Sequence, residues 1–347
     1  MIIKIILALL FFGFMIFAHE FGHFFTAKLF GVGVKEFAIG MGPKLFTVKS
    51  KKSETAYSVR ALPIGGFVSL VGEDEDVDSE KSLTKKAPWK RFIILSAGSL
   101  MNIITAVVAM FILLSMSPYY PSTYIADREG YSVISDSVLA DYGVQDKDKI
   151  IKINDKKMNV WQDISYTIMT EGTEPLDITI SRDGKEFTLE DVQFKTDVVE
   201  GLTVGVVDFA PLYIKRSFTT LVREAFYQSF STVKMIYSSL FDLLSGKYGL
   251  EAVSGPVGTV EVIAESAEQG IHSLLYLFVF ISMNLGIFNL LPIPALDGGR
   301  LVFVIIEWIR RKPIPPEKEG LVHTVGMVLL LIFMAVVVVS DIGKIAN

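Results

Sequence analysis

The sequence contains no cysteine in its 347 residues. This absence excludes thiolate zinc ligands, cysteine nucleophiles and structural disulfides, so any metal site must use histidine, aspartate or glutamate. Histidine is also scarce, with four in the whole chain. The net charge of −5 gives no basic excess, which argues against a nucleic-acid partner.

Four long stretches of the chain contain no formally charged residue except Glu20. The chain as a whole is 51% hydrophobic. These runs are Ile5–Phe25, Phe92–Met116, Leu274–Ala295 and Val325–Val339, the last extended by His323, Thr324 and Ser340. They predict a polytopic α-helical membrane protein with four transmembrane helices and one water-soluble module between the second and third. We interpret the first run as a retained span, because no small-residue cleavage site follows it.

The polar sequence between the runs sets the segment boundaries. The first half of the chain is predicted to contain a first span at residues 1–30, a cytoplasmic β-hairpin loop at 31–90, a second span at 91–118 and a small mixed α+β domain at 119–210. The second half is predicted to contain an amphipathic helix and connector at 211–270, a third span at 271–298, a cytoplasmic loop at 299–321, and a fourth span with the C-terminus at 322–347. Lysine and arginine concentrate in 31–90 and 299–321, which predicts that these two are cytoplasmic and that the termini and the central domain lie outside. The helix at 217–244 either lies on the membrane surface or packs against the soluble module.

Residues 36–68 alternate apolar and polar side chains, as at Phe37 and Ile39, with turn-like breaks at 49–54 and at Gly65-Gly66. The pattern predicts a hairpin-rich segment directly after the first span. Two interpretations are equally open at this point. The segment is either a cytoplasmic loop with some sheet, or a sheet edge near the active site that pairs with an extended substrate.

The first span contains an HExxH motif, His19-Glu20-Phe21-Gly22-His23. On a helix of about 100° per residue, the two histidines project within about 40° of each other and can reach one metal ion. Glu20 lies beside them, where it could take a proton from metal-bound water. Such polar groups are costly in an apolar span, so they predict a function.

A catalytic zinc site usually has three protein ligands, so a third ligand must lie at the same depth. His272 and His323 are poor candidates because they lie at predicted ends of spans. Asp297 is better, because two prolines precede it and Gly298-Gly299 follows it, which lets the carboxylate turn inward. Taken alone, Asp297 would be interpreted as a cap for the helix at 300–309; taken with the HExxH motif, it is predicted to be the third ligand.

These motifs resemble those of the site-2 protease family. Two stretches carry the resemblance. The first is the HExxH sequence with Phe24, Ala27, Gly31 and Val32 after it. The second is the sequence Asn289-Leu290-Leu291-Pro292-Ile293-Pro294-Ala295-Leu296-Asp297-Gly298-Gly299. More narrowly, the chain resembles the RseP/RasP-type bacterial intramembrane zinc metalloproteases, and the resemblance covers essentially the whole chain. It implies that 119–210 is one extracytoplasmic PDZ domain. Residues 40–43 and the strands after them resemble the family's membrane-associated β-hairpin, which favours the substrate-edge interpretation.

The resemblance also implies roles for individual residues. It implies that His19, His23 and Asp297 bind zinc and that Glu20 is the general base. Asn284 and Asn289 on the third span match asparagines that lie near bound substrate in the family, although interhelical hydrogen bonding is a common alternative use of asparagine in spans. The sequence Ser254-Gly255-Pro256-Val257-Gly258 matches a further family motif.

Three positions depart from the family pattern. Ser99 stands in the second span where the family usually has proline. This departure affects the expected local helix geometry and not the chemistry. Lys147 and Asp155 stand in the PDZ-like region where glycines are usual. This departure weakens the expectation that the module binds peptides, and leaves the expectation of its fold unchanged.

The implied function is that of an intramembrane zinc endopeptidase in the bacterial cytoplasmic membrane, with its active site near the cytoplasmic side. Expected substrates are single-span proteins such as anti-sigma factors, or remnant signal peptides, usually after cleavage by an upstream site-1 protease. The PDZ domain would filter substrates by size. Two other classes compete: a catalytically silent membrane-anchored PDZ scaffold, against which the intact motif residues argue, and a transporter, against which the lack of an internal repeat argues.

Overall fold

A computed structural model describes residues 2–49, 54–73, 77–126, 137–199, 202–247, 255–312 and 314–346. Most of the predicted turn at 49–54, and Ser254, lie outside these residues. The chain divides into two compact units. The first unit comprises Met1–Ala109 and Ser238–Asn347, and the second comprises Met110–Tyr237.

The described residues form long helices and shorter strands. The helices are α1 Ile2–Leu29, α2 Pro88–Met116, α3 Trp161–Glu171, α4 Phe218–Leu244, α5 Pro256–Gln269, α6 Ile271–Leu290, α7 Asp297–Arg310 and α8 Pro316–Ala346, with a short 3-10 helix at Val138–Tyr142. The strands are β1 Val34–Lys49, β2 Ala56–Leu70, β3 Tyr119–Ala126, β4 Lys149–Ile153, β5 Lys156–Lys157, β6 Leu176–Arg182, β7 Lys185–Val192, β8 Thr196–Val199, β9 Leu202–Gly205 and β10 Ala210–Lys215.

Four of the helices are long and apolar enough to cross a membrane. Within the described residues these stretches are Ile5–Leu29, Pro88–Met116, Ile271–Leu290 and Glu317–Gly343. Each has at least the roughly 20 residues that the hydrocarbon core of a bilayer requires. They fit the predicted polytopic membrane protein with four transmembrane helices.

The third span is shorter than predicted. Residues 271–298 were expected to form it, but α6 ends at Leu290. Pro292 and Pro294 lack the backbone N–H groups that a continuing helix needs. Residues 299–321 were expected to be a loop. Most of them instead belong to the 14-residue helix α7 or to the start of α8.

The connector expected at 211–270 contains α5, which sequence analysis did not predict. α5 starts with Pro256 at its first turn, where proline is tolerated. The carboxylate of Asp341 in α8 accepts hydrogen bonds from the N–H groups of Gly255 at 3.1 Å and Gly258 at 3.0 Å. A Cβ atom on Gly255 would lie 2.7 Å from Asp341 Oδ2, so only glycine permits this approach. This is a physical reason for the glycine-proline motif.

The strands β1 and β2 form the predicted hairpin region of the first unit. The predicted turn at Gly65-Gly66 is confirmed as a reversal of the chain within β2, with a left-handed φ of 82° at Gly65. Residues 56–59 run parallel to residues 36–39 of β1, whereas residues 66–68 run antiparallel to them. Phe37 therefore lies opposite both Tyr57 and Val68. This part of β1 thus lies between two stretches of β2.

The second unit contains a sheet with the strand order β10-β3-β4-β6-β7, and β5 pairs with β4. Ile150, Ile153 and Ile178 from the sheet pack with Ile164 and Ile168 of α3 in one buried core. The predicted hairpin turn at 182–185 is confirmed, with Arg182 opposite Lys185 and left-handed φ angles of 50° and 77° at the two residues between them. Lys147, which replaces a usual glycine, also adopts a left-handed φ of 68°.

The predicted helix at 217–244 is present as α4. One face is buried and includes Leu221, Ala225 and Ile236. Large exposed apolar side chains recur along the other face: Phe218, Val222, Phe226, Phe230, Tyr237, Phe241 and Leu244. α4 is therefore amphipathic, as expected from the sequence.

Candidate metal centre

Helix α1 brings two histidines to one point. His19 and His23 are one turn apart, and their ring centroids are separated by 4.9 Å. Their Nε2 atoms lie 3.2 Å from each other. Both rings therefore offer a nitrogen to the same small volume.

The loop after α6 supplies the third candidate ligand. Pro292 and Pro294 interrupt the helix, and Ala295 adopts a left-handed φ of 79° that redirects the chain. The N–H of Ala295 donates to Nδ1 of His323 at 3.0 Å, which ties the loop to α8. The chain then enters α7 at Asp297. His323 thus supports the loop that carries Asp297.

The carboxylate of Asp297 points at the two histidines. Its Oδ2 atom lies 3.1 Å from Nε2 of His19 and 3.3 Å from Nε2 of His23. The alternative interpretation, a helix cap, is not what the structure shows: the cap position of α7 is Leu296, without a side-chain cap bond. The expected juxtaposition with the HExxH motif is therefore observed.

The donor atoms suit a zinc ion in number, type and spacing. His19, His23 and Asp297 each offer one ligand atom, and these atoms lie within 4.8 Å of one another. Tetrahedral ligands about 2.0–2.1 Å from zinc stand about 3.3 Å apart. The observed separations of 3.2, 3.1 and 3.3 Å match that value. Two imidazoles and one carboxylate also leave a fourth position open, as catalytic zinc sites require.

Helix α2 orients both rings from behind. Nδ1 of His23 lies 2.8 Å from the backbone oxygen of Ile94. Nδ1 of His19 lies 3.3 Å from Nδ2 of Asn102. Ser99, at the position where proline was expected, donates to Asp297 Oδ2 at 3.5 Å.

Two glycines allow α1 and α2 to approach closely enough for these contacts. A Cβ atom on Gly98 would lie 2.2 Å from His23 Nε2 and 2.8 Å from His19 Cε1. A Cβ atom on Gly22 would lie 2.3 Å from the backbone oxygen of Ala97. Small residues commonly serve close helix packing in membranes.

The roles of Gly98 and Asn102 were not predicted from the sequence. The available signals were a run of small residues, Ala97-Gly98-Ser99, and an amide side chain inside an apolar span.

Glu20 is held by the hairpin region. Its Oε2 atom accepts a hydrogen bond from the N–H of Val68 at 2.9 Å. A Cβ atom on Gly66 would lie 3.7 Å from Glu20 Cγ and 2.8 Å from the oxygen of Ala38. The last stretch of β2 therefore runs directly beside the HExxH carboxylate.

Two ion pairs position α7. Arg91 of α2 pairs with Glu307, which is buried, and Arg91 itself is largely covered. Glu307 also accepts the N–H of Ile314 at 2.8 Å. Arg300 pairs with Glu73, which follows β2. The helix that begins with Asp297 is thereby connected to α2 and to the hairpin region.

Asn284 and Asn289 lie on α6, five positions apart, and both are half-buried. Among the described residues, no hydrogen bond joins their amides to the three candidate ligands or to another helix. The structure thus places them on the third span without engaging them in the interhelical bonds that were the alternative.

A polytopic membrane protein with converging His, His and Asp side chains has the architecture of an intramembrane metallopeptidase. The chain belongs to peptidase family M50, whose profile matches residues 7–333. A Fusobacterium nucleatum protein is 37% identical over 99% of both chains. The zinc metalloprotease RasP of Geobacillus kaustophilus is 31% identical over 96% of both chains. The regulator of sigma-W protease RasP of Bacillus subtilis is 29% identical over 98% of both.

These similarities confirm the predicted family, enzyme class and cofactor. The chain is a zinc metalloprotease of the site-2 protease type, and its four apolar helices place it among multi-pass membrane proteins.

Proposed function

We propose that His19, His23 and Asp297 bind the catalytic zinc ion and that Glu20 is the general base. The observation that carries this proposal is the convergence of three donor atoms at 3.1–3.3 Å from one another. Glu20 adjoins His19 in the same helix, and its carboxylate is fixed by the hairpin region. A silent scaffold would have no use for such a costly group of polar side chains in a span.

Zinc at this site would polarise the scissile carbonyl and acidify the attacking water. Glu20 takes the proton from that water as the new C–O bond forms, and donates it to the leaving nitrogen as the C–N bond breaks. The N–H of Val68 occupies one oxygen of Glu20 and leaves the other for the water. Asn284 and Asn289 would donate to the substrate backbone or to the developing oxyanion.

The substrate, in this proposal, pairs as a strand with residues 66–70 of β2. One side of this stretch pairs with β1, with Ile39 opposite Gly66. The N–H of Val68 is directed instead to Glu20, so the other edge faces the catalytic carboxylate. A helical span hides its peptide bonds in its own hydrogen bonds and must unwind before cleavage. Strand pairing would hold the unwound segment extended beside the base.

The proposed substrates are single-span membrane proteins of the anti-sigma-factor type, or remnant signal peptides, already shortened by an upstream protease. The Bacillus subtilis relative is named as a regulator of sigma-W protease, which supports the first class. The sheet of the second unit is proposed to be one PDZ domain that filters substrates by size.

We place the protein in the bacterial cytoplasmic membrane, with residues 31–90 and 299–321 on the cytoplasmic side and residues 119–210 outside. The distribution of lysine and arginine supports this orientation. Because the chain has no cysteine, single cysteines introduced at Lys44 and at Lys185 can be labelled with a membrane-impermeant reagent in intact cells. Labelling at Lys44 but not at Lys185 would contradict the orientation.

The variant Glu20→Gln tests the mechanism. General base catalysis contributes on the order of 10²–10⁴ in rate, so cleavage of a tagged single-span substrate should fall by that factor while zinc remains bound. Zinc is measured on the same purified protein by elemental analysis. Glu265→Gln, at an exposed position of α5, is the matched control and should cleave normally. Undiminished cleavage by Glu20→Gln would refute the assignment.

A further inference from the structure

Asn102 is a fully buried amide in the second span. Its side chain is 0% exposed, and its backbone oxygen accepts a hydrogen bond from Ser282 of α6 at 3.0 Å. One end of the amide lies 3.3 Å from Nδ1 of His19. The other end, Oδ1, has no hydrogen-bond partner among the described residues. Such a group is costly in a span unless it has a purpose.

The neighbouring histidine shows what the site needs. Nδ1 of His23 faces the backbone oxygen of Ile94, which can only accept a hydrogen bond. His23 must therefore carry its proton on Nδ1, and its Nε2 lone pair is left for the metal. A zinc ligand commonly depends on such a partner, which fixes the tautomer and the ring orientation.

His19 needs the same tautomer, because its Nε2 atom faces His23 Nε2 and Asp297 Oδ2. Its Nδ1–H then requires an acceptor, and Asn102 is the side chain within reach. The oxygen and nitrogen of an amide are nearly identical in shape, so their assignment follows from the hydrogen-bond network. Rotation of the Asn102 amide by half a turn places Oδ1, which otherwise has no partner, against Nδ1–H of His19.

We propose that Asn102 is a positioning residue for the metal centre: its amide oxygen accepts the Nδ1–H of His19 and holds the Nε2 lone pair toward zinc. The side chain of Asn102 thus does for His19 what the backbone of Ile94 does for His23. The inference rests on the proposed role of His19 as a zinc ligand.

The test compares two substitutions of similar size. Asn102→Asp keeps an acceptor oxygen beside Nδ1, whereas Asn102→Leu keeps the volume and removes the acceptor. Zinc affinity is measured on the purified full chain in detergent by competition with a chelator, without reference to proteolysis. Loss of a partner of this kind typically weakens metal binding ~10–100-fold, which is the expected effect of Asn102→Leu. Asn102→Asp should bind zinc about as tightly as the wild type.

Two results would overturn the inference: unchanged zinc affinity in Asn102→Leu, or an equal loss in both variants, which would indicate packing alone. Histidine-selective ¹⁵N NMR is a second measurement, since the chain has four histidines. The wild type and Asn102→Asp should show His19 protonated at Nδ1. Any other tautomer of His19 in the zinc-bound wild type would also overturn the inference. His19→Ala separates the two proposals, because normal zinc affinity in that variant would refute the ligand set itself.

Discussion

Gly98 is the position where the smallest change should have the largest effect on the metal centre. In Gly98→Ala, the new methyl carbon would lie 2.2 Å from His23 Nε2, the atom proposed to bind zinc. Ordinary contact between such atoms needs about 3.5 Å, so the ring or α2 must retreat by roughly 1 Å. A misplacement of that size can reduce turnover about 100-fold, and overpacking of this kind costs about 1–3 kcal/mol of stability.

The assay is cleavage of a tagged single-span substrate, followed beside the zinc content of the purified protein. Gly98→Ala should lose about 100-fold in cleavage and retain less zinc, while the protein still inserts into the membrane. Gly320→Ala in α8 is the matched control, because nothing lies within 4 Å of its Cβ position. Normal cleavage by Gly98→Ala would refute the conclusion that α1 and α2 must approach this closely at the site.

Two further predictions concern the second unit. Burial raises the pKa of Asp148, but hydrogen bonds from Arg182 at 2.8 and 2.6 Å and from the N–H of Gln145 outweigh it, so the pKa of Asp148 is lowered. The pair therefore stabilises the fold above about pH 4 and loses this effect as the pH falls further. Arg182→Leu should lower the midpoint of urea unfolding at pH 7, and an unchanged midpoint would contradict the assignment. Replacing residues 119–215 by a short linker should admit untrimmed substrates, and unchanged selectivity in a cleavage assay would end the size-filter proposal.

The spans and the HExxH motif were predictable because both depend on local sequence. Four runs almost free of charge are visible in the sequence and reappear as the four long apolar helices. The spacing of His19 and His23 fixes their relative geometry once the segment is helical. Asp297 was also predictable, because the two prolines before it and the two glycines after it indicate that the chain changes direction there.

The contacts between distant segments were not predictable from one sequence. Gly98 and Asn102 look like ordinary residues of an apolar run until α2 is placed against α1. The same holds for Asp341, which accepts hydrogen bonds from Gly255 and Gly258 far earlier in the chain. Periodicity reports which face of a helix is apolar, but it does not report which other helix that face meets.

The proposed ligand set has a consequence for the order in which the enzyme is made. A ribosome synthesises both histidines and Glu20 in α1, whereas the proposed third ligand belongs to α7, after the third span. A growing chain with only its first two spans inserted therefore presents two histidines and no carboxylate at Asp297. It can bind zinc weakly at best, since two ligands do not make a catalytic site. With the proposed ligand set, the protease would complete its centre only when most of its own membrane domain is in place, so an unfinished chain would not cut the spans around it.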